Sequence, residues 1–306
     1  MTNGRKTETA QDGDMKTFRE VIDSGDFVLT AELNLARDSD AAAIVEQADV
    51  LGACTDAIQV PDSPGARVQM TPLAASHLLI QNGVQAIAHL NSRDRNRVAL
   101  ECELLSLGTM GVTSVLLLRG DDLPQDHRPA IKQVFELKGK ALIEVAQELA
   151  NDPTVTCVPD FCIGTIATVF NPKAAWQPSS LLARVEAGAR FIQTQLCFDT
   201  AALRRYMTHL VEARLTWSSA IIVSVATLPS AVTARWLREN LKGSLVPKKV
   251  IRRLEQARDP EQEGVDICAE ILEELREIPG VSGAHLMTPG DQATIPAAIR
   301  AAGLRS

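Results

Sequence analysis

The chain has 306 residues, 45% of them hydrophobic and 23% charged, an ordinary globular composition that can bury a core without disulfides or metal ions. Its formal net charge is -7, so it lacks the broad cationic surface that attracts nucleic acids and anionic membranes. The six cysteines include no C-x-x-C pair, and no metal site is expected.

The N-terminal segment is polar. Residues 1–16, MTNGRKTETAQDGDMK, lack the apolar stretch of a signal peptide, and we expect a disordered or frayed segment there, ahead of one domain at residues 17–306. No later stretch approaches the roughly 20 uncharged apolar residues of a membrane span. A cytoplasmic protein is therefore expected.

Short aliphatic runs alternate with longer amphipathic stretches along the rest of the chain, which is the pattern of parallel strands covered by helices. The predicted strands are, in chain order, residues 27–33, 56–60, 84–90, 113–118, 162–168, 190–195, 219–226 and 281–287. The predicted helices are residues 39–52, 71–82, 94–110, 138–150, 179–188, 200–214, 229–242, 264–277 and 291–302.

This alternation predicts an α/β fold, a single (β/α)8 TIM barrel. Glycine often stands between a predicted helix and the next strand, where left-handed helix caps are common. A doubly wound open sheet stays the alternative, because periodicity does not report whether the last strand pairs with the first. Two longer interruptions, residues 120–137 and 241–264, are expected to be loops at the active site.

Polar residues stand at the C-terminal ends of the predicted strands, where barrel enzymes carry their catalytic groups. Glu32 ends the first strand within an apolar run, and partial desolvation there favours a carboxyl group that keeps its proton, as a general acid requires. Asp121 follows Arg119 and Gly120 in a turn where its carboxylate can face developing positive charge. The other polar residues at strand ends are Asp62, His89 and Gln195. Each alone is also consistent with a cap or loop anchor, but their convergence on one rim indicates a site.

Arginines open the predicted helix at residues 94–110. Arg93, Arg95 and Arg97 could hold phosphates or carboxylates near the positive end of that helix, or they could be surface charges beside a capping Asp94. Both interpretations stay open. The remaining histidines show no metal-ligand spacing; they are His77, His127, His209 and His285.

Four segments carry a resemblance to a known family. They are residues 29–32, residues 89–120 (HLNSRDRNRVALECELLSLGTMGVTSVLLLRG) followed by Asp121, residues 186–199 (EAGARFIQTQLCFD) and residues 280–287 (GVSGAHLM). In this order and spacing the chain resembles the methylenetetrahydrofolate reductase family from about Phe27 to Leu304. The resemblance implies a barrel enzyme of one-carbon metabolism that reduces 5,10-methylenetetrahydrofolate to 5-methyltetrahydrofolate, or catalyses the reverse, with FAD and either NADH or NADPH. Methionine biosynthesis is one pathway that such an enzyme serves.

The resemblance also implies roles for individual residues. Glu32 matches the acid that protonates N10 as the five-membered ring of the folate opens to an N5-iminium cation. Asp121 matches the carboxylate that stabilises this cation beside the flavin, and Gln195 matches the amide that binds the pterin. His89 and Arg119 match positions along the cofactor.

Several positions depart from the family pattern. Residues 30–34 read TAELN where the family has an F-E-F-F-P-like run, and residues 167–172 read ATVFNP where the family has a Y-P-x-x-H-P-like segment. Arg184 stands in place of the family lysine near the flavin phosphates, and Lys138 in place of an acidic residue. Two alternatives therefore stay open: a pterin-binding methyltransferase barrel, and a flavin-poor partner subunit of a larger reductase. A homo-oligomer is equally open.

Overall fold

The computed structural model describes residues 16–123 and 131–305. The segment expected to be frayed, residues 1–16, lies outside the described residues except for Lys16. His127 and part of the interruption at residues 120–137 also lie outside them.

Eight parallel strands form a closed barrel in chain order. They are β1 (Val28–Glu32), β2 (Ala57–Val60), β3 (Ala86–Asn91), β4 (Ser114–Leu118), β5 (Cys162–Ala167), β6 (Ala189–Thr194), β7 (Ala220–Ala226) and β8 (Gly283–Met287). β1 pairs with β2 on one side and with β8 on the other. The predicted (β/α)8 barrel is confirmed, and the open sheet is excluded because an open sheet leaves two edges unpaired.

Helices connect the strands. They are α1 (Phe18–Ser24), α2 (Ala41–Gly52), α3 (Pro72–Gln81), α4 (Arg97–Thr109), α5 (Lys140–Ala150), α6 (Ser179–Glu186), α7 (Thr200–Glu212), α8 (Ala231–Asn240), α9 (Lys248–Gln256), α10 (Pro260–Arg276) and α11 (Thr294–Ala301). Every predicted helix overlaps one of these, whereas α1 and α9 were not predicted. In the described part of the chain, none of the helices combines the length and apolar character needed to cross a membrane.

The prediction of a loop at residues 241–264 was wrong for much of that range. α9 occupies Lys248–Gln256, directly after Pro247, and α10 begins at Pro260. The sequence of α9, KKVIRRLEQ, has only three apolar residues in nine, which are too few to reveal a helical repeat in the sequence. All three are buried against the core: Val250, Ile251 and Leu254.

The N-terminal end of the barrel interior is apolar. Phe18 of α1 is fully buried and packs edge to face on Phe191 of β6, with ring centroids 5.4 Å apart. Both rings belong to a cluster of buried apolar side chains contributed by β1 through β7, and the cluster therefore lies inside the barrel. α1 closes this end, so a ligand site is left to the opposite end, where the strands finish.

The Phe191 ring occupies the space beside Gly164 of β5, where a side chain would clash with it. A Cβ atom placed on Gly164 would lie 2.1 Å from Cζ of Phe191, well inside contact distance. We predict that Gly164→Ala lowers the free energy of unfolding by about 1 to 3 kcal/mol, the usual cost of overpacking a core. Urea denaturation measures it.

Gly290→Ala is the matched control, because a Cβ atom there would lie 3.5 Å from Pro229, an ordinary contact distance. We expect a change below about 0.5 kcal/mol in this control. Equal losses in the two variants would contradict the packing argument.

Candidate active site

A cavity of about 640 Å³ lies at the C-terminal ends of the strands. Residues that the sequence analysis proposed for a site line its wall: Glu32, Asp62, His89, Arg119, Asp121, Arg184 and Gln195. The barrel therefore brings Glu32 and Asp121, which stand far apart in the sequence, to one shared space.

Glu32 is the last residue of β1 and lines the mouth of the barrel. Side chains alternate along a strand, so Glu32 faces the same side as Thr30. The Glu32 side chain is 21% exposed, and its Oε2 lies 3.8 Å from Nε2 of His285. Its carboxyl group is largely withdrawn from water but can be reached from the cavity.

The turn after β4 places Asp121 at the rim of the cavity. Gly120 has φ +82°, and a Cβ atom there would lie 3.0 Å from Cβ of Asn91, so glycine suits this turn on both counts. Oδ2 of Asp121 accepts a hydrogen bond from the backbone N–H of Gly65 at 3.0 Å. This bond ties the carboxylate to the segment after β2.

Arg119 is held by the chain that follows it. Its Nη2 donates to Oδ1 of Asp122 at 2.6 Å, and its guanidinium carbon lies 3.9 Å from the centre of the Phe135 ring. The backbone N–H of Phe135 donates to the carbonyl oxygen of Ser92 at 3.0 Å. This part of the interruption at residues 120–137 therefore packs beside the cavity.

Asp62 also lines the cavity, but its oxygens are committed to an ion pair within the chain. Its Oδ2 accepts from Nη1 of Arg95 at 2.6 Å and from Nδ2 of Asn91 at 2.6 Å. Burial raises the pKa of Asp62, and the positive charge of Arg95 opposes that effect. Asp62 thus anchors the loop between β3 and α4.

The arginines around the start of α4 behave in the same way. Arg93 binds Asp94, Arg95 binds Asp62, and Arg97 binds Glu101. Each guanidinium already holds a carboxylate of the chain. The structure thus favours the structural interpretation of these arginines over the anion-binding one.

Arg184 of α6 differs from them. Its Nη1 donates to the carbonyl oxygen of Ile166 at 2.7 Å, and its Nη2 donates to Oγ of Ser180 at 3.2 Å. Within residues 16–123 and 131–305, no carboxylate forms an ion pair with Arg184, and burial lowers the pKa of its guanidinium. Lys138 lines the cavity as well. This end of the cavity is cationic, and the described residues include no carboxylate paired with Arg184 or Lys138.

The segment at residues 167–172, where the family pattern is lost, turns its aromatic side chain away from the cavity wall. The Phe170 ring packs on Trp176 and on Tyr206 of α7, with ring centroids 5.0 Å and 5.5 Å apart. Phe170 is not among the cavity-lining residues. The Phe170 ring therefore packs on the outside of the barrel.

A chain of buried hydrogen bonds forms the floor of the cavity. Nε2 of Gln59 donates to Oγ1 of Thr30 at 3.0 Å and to Oε1 of Gln193 at 2.6 Å. Nε2 of His89 lies 2.8 Å from Oε1 of Gln59, and Oγ1 of Thr30 lies 3.0 Å from Nδ1 of His285. These side chains come from five strands, so the network ties the barrel together across its interior.

The sequence analysis missed four members of this network, Thr30, Gln59, Gln193 and His285. His285 was set aside because it shows no metal-ligand spacing. A signal was present: Thr30 stands two residues before Glu32 and Gln193 two before Gln195, so the strand period of two places each on the same face as a candidate site residue.

Comparison with known proteins identifies relatives at the level of family. A family model described as methylenetetrahydrofolate reductase matches residues 17–303. A search of curated proteins gave no match.

Solved structures share the fold. An uncharacterised protein from Clostridium thermocellum that binds two copies of 5-methyl-5,6,7,8-tetrahydrofolic acid superposes with a TM-score of 0.64 at 11% identity, covering 93% of this chain and 96% of that one. 2,3-Dimethylmalate lyase superposes with a TM-score of 0.51 at 11% identity, covering 92% of this chain and 82% of that one. Oxaloacetate acetylhydrolase superposes with a TM-score of 0.53 at 10% identity, covering 94% of this chain and 83% of that one. At these identities the similarity shows the barrel fold alone.

The titration of His89 yields a prediction. Burial, with a smaller contribution from His285, lowers the pKa of His89 to about 3, whereas an unfolded histidine titrates near about 6.5. Below about pH 6.5 His89 binds a proton in the unfolded chain, whereas in the folded chain it stays neutral down to about pH 3. The free energy of unfolding therefore falls as the pH falls.

We predict that wild-type protein loses about 2 kcal/mol more than His89→Gln between about pH 7 and about pH 5. Glutamine removes the titration but can keep an N–H donor towards Gln59. Denaturant titrations at the two pH values measure the difference. Parallel pH dependences of the two proteins would show that His89 is not held neutral.

Proposed function

Since the chain belongs to the methylenetetrahydrofolate reductase family, we propose that it reduces 5,10-methylenetetrahydrofolate to 5-methyltetrahydrofolate with NADH or NADPH, or catalyses the reverse. The observation that carries the proposal is the shared cavity of Glu32 and Asp121. The protein from Clostridium thermocellum binds a reduced folate within the same fold, which supports a folate ligand for this cavity.

The proposed reaction needs one hydride and one proton. The bond between N10 and the methylene carbon breaks, N10 receives the proton, and the resulting N5-iminium carbon receives the hydride. Glu32 would deliver the proton, because it is partly withdrawn from water and open to the cavity, as a general acid requires. Solvent would return the proton to Glu32 afterwards.

Asp121 and Gln195 would act on the pterin. A carboxylate at the cavity rim stabilises a cation that forms nearby, and the backbone bond from Gly65 holds Asp121 in place for that task. Gln195 follows the end of β6, is half-buried and lines the cavity. Its amide can both donate to and accept from a pterin ring.

The cationic end of the cavity fits an anionic cofactor such as FAD. Arg184 is half-buried with donors but no carboxylate partner among the described residues, which is unusual unless a ligand supplies the negative charge. Arg184 and Lys138 would hold the phosphates, while His89, Arg119 and Asp121 would lie along the flavin. Bound there, FAD would supply hydride transfer between the nicotinamide cofactor and the folate.

The role of Glu32 can be tested directly. We predict that Glu32→Gln lowers folate reduction by at least about 100-fold, because a glutamine cannot deliver the proton to N10. Oxidation of NADH or NADPH with a quinone acceptor should be spared, since that half-reaction does not protonate the folate. Steady-state assays of both reactions measure the difference.

Glu46→Gln, a change on the exposed side of α2, is the control and should leave both rates unchanged. Equal losses of both activities in Glu32→Gln would contradict the role of Glu32 as the acid. A wild-type protein that reduces no methylenetetrahydrofolate would overturn the proposed reaction.

The flavin can be tested separately. We predict a yellow purified protein, and in Arg184→Ala a loss of at least about tenfold in FAD affinity, since a hydrogen bond to a charged group contributes about 1.5 to 3 kcal/mol. Arg184→Lys should lose less, because it keeps the charge but not the planar geometry. Fluorescence titration with FAD measures the affinity.

Arg190→Ala removes an exposed arginine of β6 and should bind FAD as wild type does. A colourless wild-type protein that takes up no added FAD would refute the flavin part of the proposal. It would favour the partner subunit, especially if activity appeared only with a second protein.

A further inference from the structure

His285 presents an unused polar atom to Glu32. The His285 side chain is fully buried, and its Nε2 has no hydrogen-bond partner among the described residues. That atom lies 3.8 Å from Oε2 of Glu32, too far for a hydrogen bond but close enough for a small movement to form one. A buried polar atom without a partner is costly and calls for an explanation.

The hydrogen-bond network indicates which nitrogen of His285 carries the proton. Both amide hydrogens of Gln59 are used, one on Oγ1 of Thr30 and one on Oε1 of Gln193. Oγ1 of Thr30 accepts from Gln59, and the hydrogen bonds of the described residues offer its own hydrogen no acceptor other than Nδ1 of His285, so we assign Thr30 as the donor in that contact. An imidazole that accepts at Nδ1 carries its proton on Nε2. An N–H group thus faces Glu32.

In the part of the chain that the structure describes, His285 is the basic side chain paired with Glu32. His89 is the other titratable member of the network, and burial lowers its pKa to about 3, so it stays neutral. Across residues 16–123 and 131–305, no lysine or arginine forms an ion pair with Glu32. Nε2–H of His285 is therefore the group of the floor that can orient the Glu32 carboxylate.

We propose that His285 is a positioning residue for Glu32, oriented by Thr30 and Gln59. The role rests on the proposed function, in which Glu32 gives its proton to N10 of the folate. As that proton leaves, the carboxylate accepts a hydrogen bond from Nε2–H of His285, and the separation shortens to about 2.8 Å. His285 keeps its own proton throughout, and Glu32 regains one from solvent through the cavity. Catalytic hydrogen bonds are often long before the ligand binds.

Two substitutions at His285 separate its two contacts. The amide of His285→Asn reaches the Nδ1 position and can keep the Thr30 contact, but it leaves no donor towards Glu32. The longer side chain of His285→Gln places an amide nitrogen near the Nε2 position. We expect kcat for folate reduction to fall about 10- to 100-fold in the asparagine variant with KM changed less than about threefold, and most of the loss to be recovered in the glutamine variant.

A merely structural role predicts a different result. Both variants would then lose activity in proportion to their loss of stability, which unfolding midpoints report. Equal kcat values in wild type and His285→Asn, or equal losses in both variants, overturn the inference.

Nuclear magnetic resonance of protein labelled with 15N-histidine tests the contact without any activity. We expect His285 to show a protonated Nε2 and an accepting Nδ1, and Glu32→Gln to shift the Nε2 resonance of His285 more than the resonances of His209 on α7. Protonation at Nδ1, or no response to Glu32→Gln, refutes the inference. If wild-type protein does not reduce the folate, the proposed function fails, and this measurement still decides whether His285 orients Glu32.

Discussion

The hydrogen bonds between β1 and β8 close the barrel, and the candidate site depends on that closure. Thr30 and His285 are in register across this seam although 255 residues separate them. Glu32 stands two residues further along β1, which sets it 3.8 Å from His285. An open sheet built from the same strands would bury similar apolar faces but leave β1 and β8 at separate edges. Closure, and not burial alone, therefore brings the candidate acid to its buried neighbour.

The barrel interior changes from apolar to polar along the strands. At the N-terminal end Phe18 packs on Phe191, whose ring fills the space left by the missing side chain of Gly164. The next layer holds Gln59 and Gln193, which are buried and hydrogen-bonded to each other. Buried amides cost free energy unless they are paired, but a paired network restricts its members to one arrangement. In the layer of Gln59 and Gln193, hydrogen-bonded amides replace apolar packing, and the floor of the cavity therefore has donors and acceptors in fixed positions.

The sequence was a good guide to elements with a clear period and a poor guide to contacts inside the barrel. All eight strands were located because each is a short aliphatic run. The helix α1 was missed because it has only seven residues, and α9 because its apolar face is three residues among charged ones. Glu32 and Asp121 could be proposed as site residues from the sequence, since each stands at or just past a strand end. Gln59 and His285 could not be proposed, because the role of a polar residue inside a buried strand depends on its hydrogen-bond partners, and these lie on strands distant in the sequence.

The arginines near Asp121 bear on what its carboxylate can do. Arg119 binds Asp122, Arg93 binds Asp94, and Arg95 binds Asp62. Each of these guanidinium groups is directed to another carboxylate, whereas Asp121 accepts from the backbone N–H of Gly65. A carboxylate neutralised by a bound arginine would attract a forming cation only weakly, because the two positive charges repel each other. Among the described residues, the cations of the cavity wall without an ion-pair partner are Arg184 of α6 and Lys138. Neither forms an ion pair with Asp121, so its negative charge can face the proposed iminium cation.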